Sequence, residues 1–581
     1  MTRTNILFYR YRAWGVLVLI LLAFNIPNII PWERGAYPDT YIFDLQERLL
    51  KSILIGLAFL CLFRVPWKAW LVAWIVFLWW MPVSIGVRLI NGSAIDAGLI
   101  GTGVASSLGE LKNLLLTLNW LWFLSLLLWN LILFGLYKYL VRKHELVWPG
   151  RVRIVVFVLI VAIFFSFDFF KIENSPVNTN TVSQTDFFDA FVEADRNVLS
   201  DGDLPLAYPF ELPISILQYF QARRIIGDIV VEMKNFPPSE SIRLSTQSPQ
   251  IVVLVIGESS SRDAWHLFNK NAPENTPQLE LREKQKMLHL FTNVVAQSTA
   301  TRQAVPSILT NQPLIWPDGR ANRDATKSII SIASAAGFKT AWFSNQSAIG
   351  QFDGVIAAYA SEADVKAFMN PSSFFQRGTY DEVLLNPVKR MLSTSAKAFI
   401  VVHTMGSHFN FEHRYPPDFE RFKGGDKVED SYLNSISYTD KFLDLLIDEV
   451  DSMKKSSVVI YTSDHGQGLP RGRCGKLEIN RTTADAYQVP AVIWTSAEFS
   501  NGAPNALKAI VQNREGAYNN AAIYQTLKDI MLATPQENRV EQSFLSPSTD
   551  GGQRMAVAPG QKWVNIDEAI QRNFCSIASF K

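Results

Sequence analysis

Glu258, Thr299, Asp464 and His465 together offer two carboxylates, a hydroxyl and an imidazole. That donor set suits Zn²⁺, whose catalytic sites leave a coordination position for the reacting group. Thr299 lies in the stretch Ala296-Gln297-Ser298-Thr299-Ala300-Thr301, after one apolar run and before a helical pattern. A helix N-terminus there would favour an alkoxide and a bound phosphoryl group through its free N–H groups and dipole. A threonine hydroxyl is a weak nucleophile, and coordination to a metal is one way to activate it. Taken alone, Thr299 reads as an ordinary N-cap, and Asp464-His465-Gly466 as a turn. The case for chemistry rests on the ordered set.

Three apolar runs deliver these residues. Ile251–Ile256 runs into Gly257-Glu258, Ala398–Val402 into His403, and Val458–Tyr461 into Thr462-Ser463-Asp464-His465. Short continuous apolar runs predict buried parallel strands, and ligands of open α/β sheets bind beyond the carboxyl ends of such strands. Further strands are expected at Leu288–Val295, Phe338–Phe343 and Val489–Trp494, and helices at Thr299–Thr310, Lys327–Ala336 and Tyr432–Asp451. The alternation implies an α/β sandwich with a mostly parallel sheet. Gly378–Arg390 and the chain beyond Gln512 read as surface insertions and a terminal cap.

With 581 residues the chain is too long for one core, and 48% hydrophobic content points to apolar segments beyond a soluble core. A net charge of +2 gives no reason to expect nucleic acid as a partner. Cys61 lies in an apolar run, and a Cys474–Cys575 disulfide and two free thiols are equally compatible with the sequence. Five apolar segments, Ala13–Pro31, Leu49–Phe63, Ala69–Val87, Trp120–Tyr137 and Ile154–Phe170, predict a five-helix transmembrane domain over residues 1–171. Basic residues at Arg3, Arg10, Arg12, Arg64, Lys68, Arg142, Lys143, Arg151 and Arg153 all fall on one side, which is then cytoplasmic. The chain after Lys171 is expected in the periplasm: an amphipathic connector over 172–249, including the apolar Leu212–Met233, and a catalytic domain over 250–581. In the outer loop Arg88–Asn119, four-residue steps place Thr102, Ser106 and Glu110 on one helical face, as a headgroup site or as the polar side of an interfacial helix.

The ordered motifs Gly257-Glu258-Ser259, Ser298-Thr299-Ala300-Thr301 with Val305-Pro306, His403-x-x-Gly406-Ser407-His408 and Ser463-Asp464-His465-Gly466 resemble the phosphoethanolamine transferases of the alkaline phosphatase and sulfatase superfamily. The resemblance implies a sulfatase-like α/β domain on a membrane anchor. It implies zinc on Glu258, Thr299, Asp464 and His465, phosphorylation of Thr299, and His403 and His408 beside the substrate phosphate. Thr102, Ser106 and Glu110 match in part an outer-side family helix, and Asn345 and Gln346 match a pocket-lining stretch. The implied donor is phosphatidylethanolamine, and the acceptor a lipopolysaccharide (lipid A or core) or another envelope glycan, with the enzyme acting as a monomer in the inner membrane. Phosphoglycerol transfer is the nearest alternative. A sulfatase would need a Cys/Ser-x-Pro-x-Arg motif that the chain lacks, and a non-catalytic membrane sensor remains the non-enzyme reading. The chain departs from the family in having no histidine between Gly466 and Val489, where Asp485 stands instead.

Overall fold

A computed structural model describes residues 242–310, 327–348, 354–370, 379–409, 411–468, 483–533, 542–547, 554–558, 562–572, 575 and 577, and before them short stretches such as 25–29, 56–65, 127–132, 151–160 and 211–217. The chain divides into two compact units, Met1–Phe220 and Gln221–Lys581.

In the second unit the strands are β1 (Ile251–Gly257), β2 (Leu288–Phe291), β3 (Asn293–Val295), β4 (Lys339–Ser344), β5 (Val365–Phe368), β6 (Ala398–His403), β7 (Ser457–Ser463), β8 (Ala491–Thr495), β9 (Ala517–Asn519), β10 (Met555–Ala558) and β11 (Lys562–Asn565). Seven form one sheet in the order β2-β8-β7-β1-β6-β4-β5. From β7 to β5 the pairs are parallel, and β8 is antiparallel to both its neighbours. The expected mostly parallel sheet is present. β1, β6 and β7 are buried at every position, as strands covered on both faces must be.

The helices are α1 (Pro277–Lys284), α2 (Thr301–Thr310), α3 (Ile329–Ala335), α4 (Gly354–Ala360), α5 (Leu385–Thr394), α6 (Lys427–Asp451), α7 (Ala497–Gly502), α8 (Pro504–Gln512), α9 (Ala522–Met531) and α10 (Ile566–Arg572). α3 and α5 pack on β4 and β6, and α6 packs on β7. The start of α6 is set by Asp426, whose carboxylate accepts from the Val428 and Glu429 amides, a carboxylate N-cap.

Two expectations change. Gly378–Arg390 is not a surface insertion: Leu384, Pro387, Val388, Met391 and Leu392 recur at helical spacing and are buried against the sheet. The chain beyond Gln512 is more than a cap, because β9 pairs with β3 and α9 buries most of its length. Cys575 is disulfide-bonded and Cys61 is free; Cys474, the third cysteine, lies outside the described residues.

The five expected spans are each described only in part, and Thr102, Ser106 and Glu110 lie outside the described residues. Among the described residues no helix is long and apolar enough to cross a membrane. Helical residues of the first unit do leave Leu124, Leu127, Leu128, Leu131, Val155 and Val158 about half exposed or more.

Candidate metal centre

Register brings the site together. Ile256 lies opposite His403, Gly257 opposite Ser463, and Ser344 opposite His403. The strands β1, β4, β6 and β7 therefore end level, and Glu258, Asn345-Gln346, Thr404 and Asp464 leave the sheet at one height. Gly257 is required there, since a Cβ would come within 2.5 Å of the Tyr461 hydroxyl.

Glu258, Asp464 and His465 are fully buried, with one ligand atom from each within 4.8 Å of the others. His465 Nδ1 lies 2.8 Å from the Gly466 carbonyl. As the donor to that oxygen, it leaves the Nε2 lone pair facing Glu258 Oε1 at 3.3 Å and Asp464 Oδ2 at 3.7 Å. This is the tautomer in which a metal-binding histidine is held by its other nitrogen. Asp464 Oδ1 accepts from the Ser259 and His465 amides at 3.2 and 2.7 Å, whereas Oδ2 has no hydrogen-bond partner. Burial, and then the Glu258 charge, push the Asp464 carboxyl upward. Two buried carboxylates, an imidazole lone pair and an orphaned carboxylate oxygen aimed at one point fit a divalent cation of the zinc class.

The loop after β1 is strained to make this fit. Ser259 has φ 57°, a left-handed conformation costing about 1–3 kcal/mol. It is held by its hydroxyl on Glu258 Oε1 (2.6 Å) and by Tyr432, whose hydroxyl donates to the Ser259 carbonyl (3.0 Å) and accepts from the Ser261 amide (2.9 Å). Ser261 Oγ then joins the loop after β7, donating to the Gln467 carbonyl at 2.6 Å and accepting from its amide at 2.7 Å.

The hydroxyl brought to the cluster belongs to Thr301, not Thr299. Thr301 Oγ1 donates to Glu258 Oε2 at 3.0 Å and lies 3.5 Å from His465 Nε2. Thr299 lies instead against the Tyr487 hydroxyl. The offset has a local cause. Ser298 Oγ accepts from the Ala300 amide at 3.2 Å and donates to Gln303 Oε1 at 2.7 Å. This delays the helix, so Ala300 is the last residue before it and Thr301 the first within it. The Ser298–Gln303 spacing was the available signal.

The remaining expected residues divide. Gln346 donates to Glu258 Oε2 (3.3 Å) and to the Thr404 carbonyl (2.9 Å), so it touches the cluster. Asn345 points elsewhere, to the Thr379 carbonyl and to Asp381 Oδ1, both at 2.8 Å. His403 is buried, edge-on to Trp342, with Nδ1 at 3.2 Å from Ser344 Oγ. Burial lowers its pKa to about 4, against the pull of Glu258, so it is neutral at pH 7. His408 is half-buried on a loop that packs directly on Glu258: the Ser407 amide donates to the Glu258 carbonyl at 2.9 Å. Asp485 is buried in the 3-10 turn Ala484–Ala486; residues 469–482 lie outside the described residues.

Asn520 was missed. Fully buried beyond β9, it donates to the Ser463 and Asp464 carbonyls (3.3 and 3.2 Å) and accepts from the Gln297 amide (3.3 Å). It ties the threonine loop to the Asp-His loop. An asparagine just before a helical pattern was the signal, but nothing local says which strand end it serves.

Comparison with known proteins finds relatives of the chain. Residues 250–532 match the sulfatase family. The chain is 26% identical over 343 residues to phosphoethanolamine transferase EptC of Escherichia coli K12, covering 56% of this chain and 58% of the relative. It is 34% identical over 220 residues to phosphoethanolamine transferase OpgE of the same organism, covering 37% and 40%. The aligned part thus spans less than two thirds of these relatives' own length. The C-terminal periplasmic domain of E. coli EptC superposes with a TM-score of 0.50 at 24% identity, over 57% of this chain and 97% of that domain. The same domain has been solved in complex with Zn.

Proposed function

On the premise that residues 250–532 form a sulfatase-family domain, we propose that the chain is a phosphoethanolamine transferase whose nucleophile is Thr301. The carrying observation is the Thr301 hydroxyl on Glu258, beside the Asp464–His465 pair, at the first position of α2. Relatives named as phosphoethanolamine transferases support the choice of headgroup.

Glu258, Asp464 and His465, with Thr301 as the fourth ligand, would hold zinc, which would supply Lewis acidity toward phosphate and a lowered hydroxyl pKa. The protein's own part is separable. Glu258 orients the hydroxyl and accepts its hydrogen bond. The first turn of α2 offers backbone N–H groups to the phosphate oxygens. Thr301 Oγ1 attacks the phosphorus of phosphatidylethanolamine, the bond to the diacylglycerol oxygen breaks, and that oxygen leaves with a proton. An acceptor oxygen on a lipopolysaccharide or envelope glycan then attacks the same phosphorus, and Thr301 regains its proton. His408 is the candidate to hand on these protons, a role worth about 10²–10⁴ in rate. His403 is buried and neutral and takes no proton in this scheme.

A lipid donor calls for a membrane-held enzyme. The exposed leucines and valines of residues 124–159 suit a lipid-facing surface, in keeping with a five-span anchor in the inner membrane, a catalytic domain in the periplasm and a headgroup site that includes Thr102, Ser106 and Glu110.

The test is mass spectrometry of the Thr301 peptide after incubation with phosphatidylethanolamine. A phosphoethanolamine adduct on Thr301 is expected, together with loss of at least about 10³-fold in transfer for Thr301→Ala and less than about tenfold for Thr299→Ala. An adduct on Thr299 would sink the assignment of the nucleophile, and a phosphoglycerol adduct formed in a parallel incubation with phosphatidylglycerol, with none formed from phosphatidylethanolamine, would replace the donor.

A further inference from the structure

The loop from Thr404 to Phe409 is gripped from two sides by charges that take no part in the cluster. On one side Asp381, which is 5% exposed, accepts from the Met405 amide at 2.8 Å and the Gly406 amide at 3.0 Å, and from Asn345 Nδ2 at 2.8 Å. On the other Arg414, 4% exposed, donates from Nε to the His408 carbonyl at 2.9 Å and from its terminal nitrogen to the Phe409 carbonyl at 2.8 Å. Between the two grips the loop is pressed onto Glu258. Gly406 has φ 50°, and a Cβ there would come within 2.8 Å of the Glu258 backbone N and O. The Thr404 amide donates to the Ile256 carbonyl, and the Ser407 amide to that of Glu258.

Burying a carboxylate and a guanidinium is unfavourable unless their hydrogen bonds are filled. Here most of those bonds go to the backbone of one six-residue loop. An apolar pair could fill the same volume more cheaply, but it could not fix peptide groups on both sides of His408. Side-chain carboxylates and guanidiniums that bind successive backbone groups set where a loop sits, as outer partners set where a ligand points.

We propose that Asp381 and Arg414 are positioning residues that clamp the 404–409 loop, fixing the backbone on both sides of His408 and holding it against the Glu258 backbone. Asn345 belongs to this clamp, as a partner of Asp381, rather than to the pocket lining. The inference deepens the transfer reading and rests on it for His408's role, while the clamp itself is a structural statement that can be tested without turnover.

The experiment is a double-mutant cycle on the full chain, with hydrogen exchange as a second arm. Turnover of phosphatidylethanolamine and of bis(p-nitrophenyl) phosphate is measured for the parent, Asp381→Asn, His408→Ala and the double variant. Asp381→Asn should lower kcat by about 10–100-fold with KM within about twofold and zinc per chain unchanged. In the His408→Ala background the same change should alter kcat by less than about threefold. Additive effects would overturn the proposal, because Asp381 would then act through something other than His408. Exchange should quicken at the Met405 and Gly406 amides in Asp381→Asn while β1 and β7 stay protected; unchanged protection there would also overturn it. Should the parent turn over neither substrate, the transfer reading fails, and exchange alone judges the clamp. If Asp381→Asn does not fold, Arg414→Lys, which can keep only one of the two carbonyl bonds, replaces it with the same kinetic expectations, and exchange should then quicken at the Ser407 and His408 amides, unchanged protection there overturning the proposal.

Discussion

Asp464 and Asp440 are two buried aspartates under similar electrical pressure, and they serve opposite ends. Asp440, on α6 away from the strand ends, is pushed up to about 7 chiefly by burial. Its two oxygens each take a backbone amide from the first turn of α1, Leu279 at 2.9 Å and Gln278 at 3.1 Å. It is a helix cap supplied from a neighbouring helix, in a region braced by Arg282 on Asp444 (2.6 Å) and Asp448 (2.7 Å). Asp464 is pushed in the same direction by burial and Glu258, yet one of its oxygens has no hydrogen-bond partner. A buried carboxylate with a donor on each oxygen is a structural part. One left open beside a second carboxylate and an imidazole lone pair is a site, and its stability awaits a ligand.

The largest effect that could break this contrast is at Asp464. Asp464→Asn should reduce bound zinc from one per chain to near zero by elemental analysis and lower transfer at least about 10³-fold. The chelated variant, however, should melt no lower than the chelated parent, because the change removes a buried charge that faces Glu258. A clear fall in the melting temperature of the metal-free variant would mean that Asp464 is structural like Asp440.

Asp440→Asn should do the reverse. Turning a double acceptor into a group with one oxygen and an NH₂ leaves an α1 amide facing a donor, at about 1–3 kcal/mol. Chemical denaturation should register that loss while transfer at a temperature well below melting stays within about twofold of the parent. Lost activity in a folded Asp440→Asn protein would blur the distinction.

How far the sequence could foresee this contrast depends on the range of the interactions. β1, β6 and β7 were legible because burial on both faces forces continuous apolar runs, and an α/β sheet binds its ligands just past the ends of such runs. Glu258, Asp464 and His465 were therefore accessible from local pattern alone. The hydroxyl that lies on Glu258 is that of Thr301, two residues beyond the expected Thr299, because α2 starts at Thr301, and a helix boundary can shift by that much without altering its apolar spacing. Asp381, Arg414, Asp440 and Asn520 were invisible as a group. Asp381, Asp440 and Asn520 act on backbone groups brought near by the fold, such as Leu279, 161 residues from Asp440, and even where the partner is local, as for Arg414 and the His408 carbonyl, a backbone partner leaves no mark on the sequence. The segment around Asp381 was read as an insertion for the same reason: its buried helix is recognisable by spacing, but its task is not.

The smallest effect is a pH signature that separates the Asp440 region from the opposing behaviour of His289. Asp440 rises from an ordinary value near 4 to about 7 in the folded protein, so between those pH values the folded state holds the proton more tightly than the unfolded one. Its contribution to stability falls as pH rises across that window, by up to about 1.4 kcal/mol per pH unit. His289 on β2 has the opposite sign. Burial, then Arg514, lowers it from 6.5 to about 4, so the unfolded chain takes the proton first, and its contribution to stability grows as pH rises from about 4 to 6.5. The two largely offset one another in the parent over their shared window. Relative to the parent, Asp440→Asn should be more destabilised at pH 4.5 than at pH 7, and His289→Asn less destabilised at pH 4.5 than at pH 7. Urea midpoints of chelated protein at the two pH values measure both differences with every other titration held in common. A penalty for Asp440→Asn that does not vary with pH would mean that its carboxylate stays ionised in the fold, and the likeness to Asp464 from which the contrast begins would be lost.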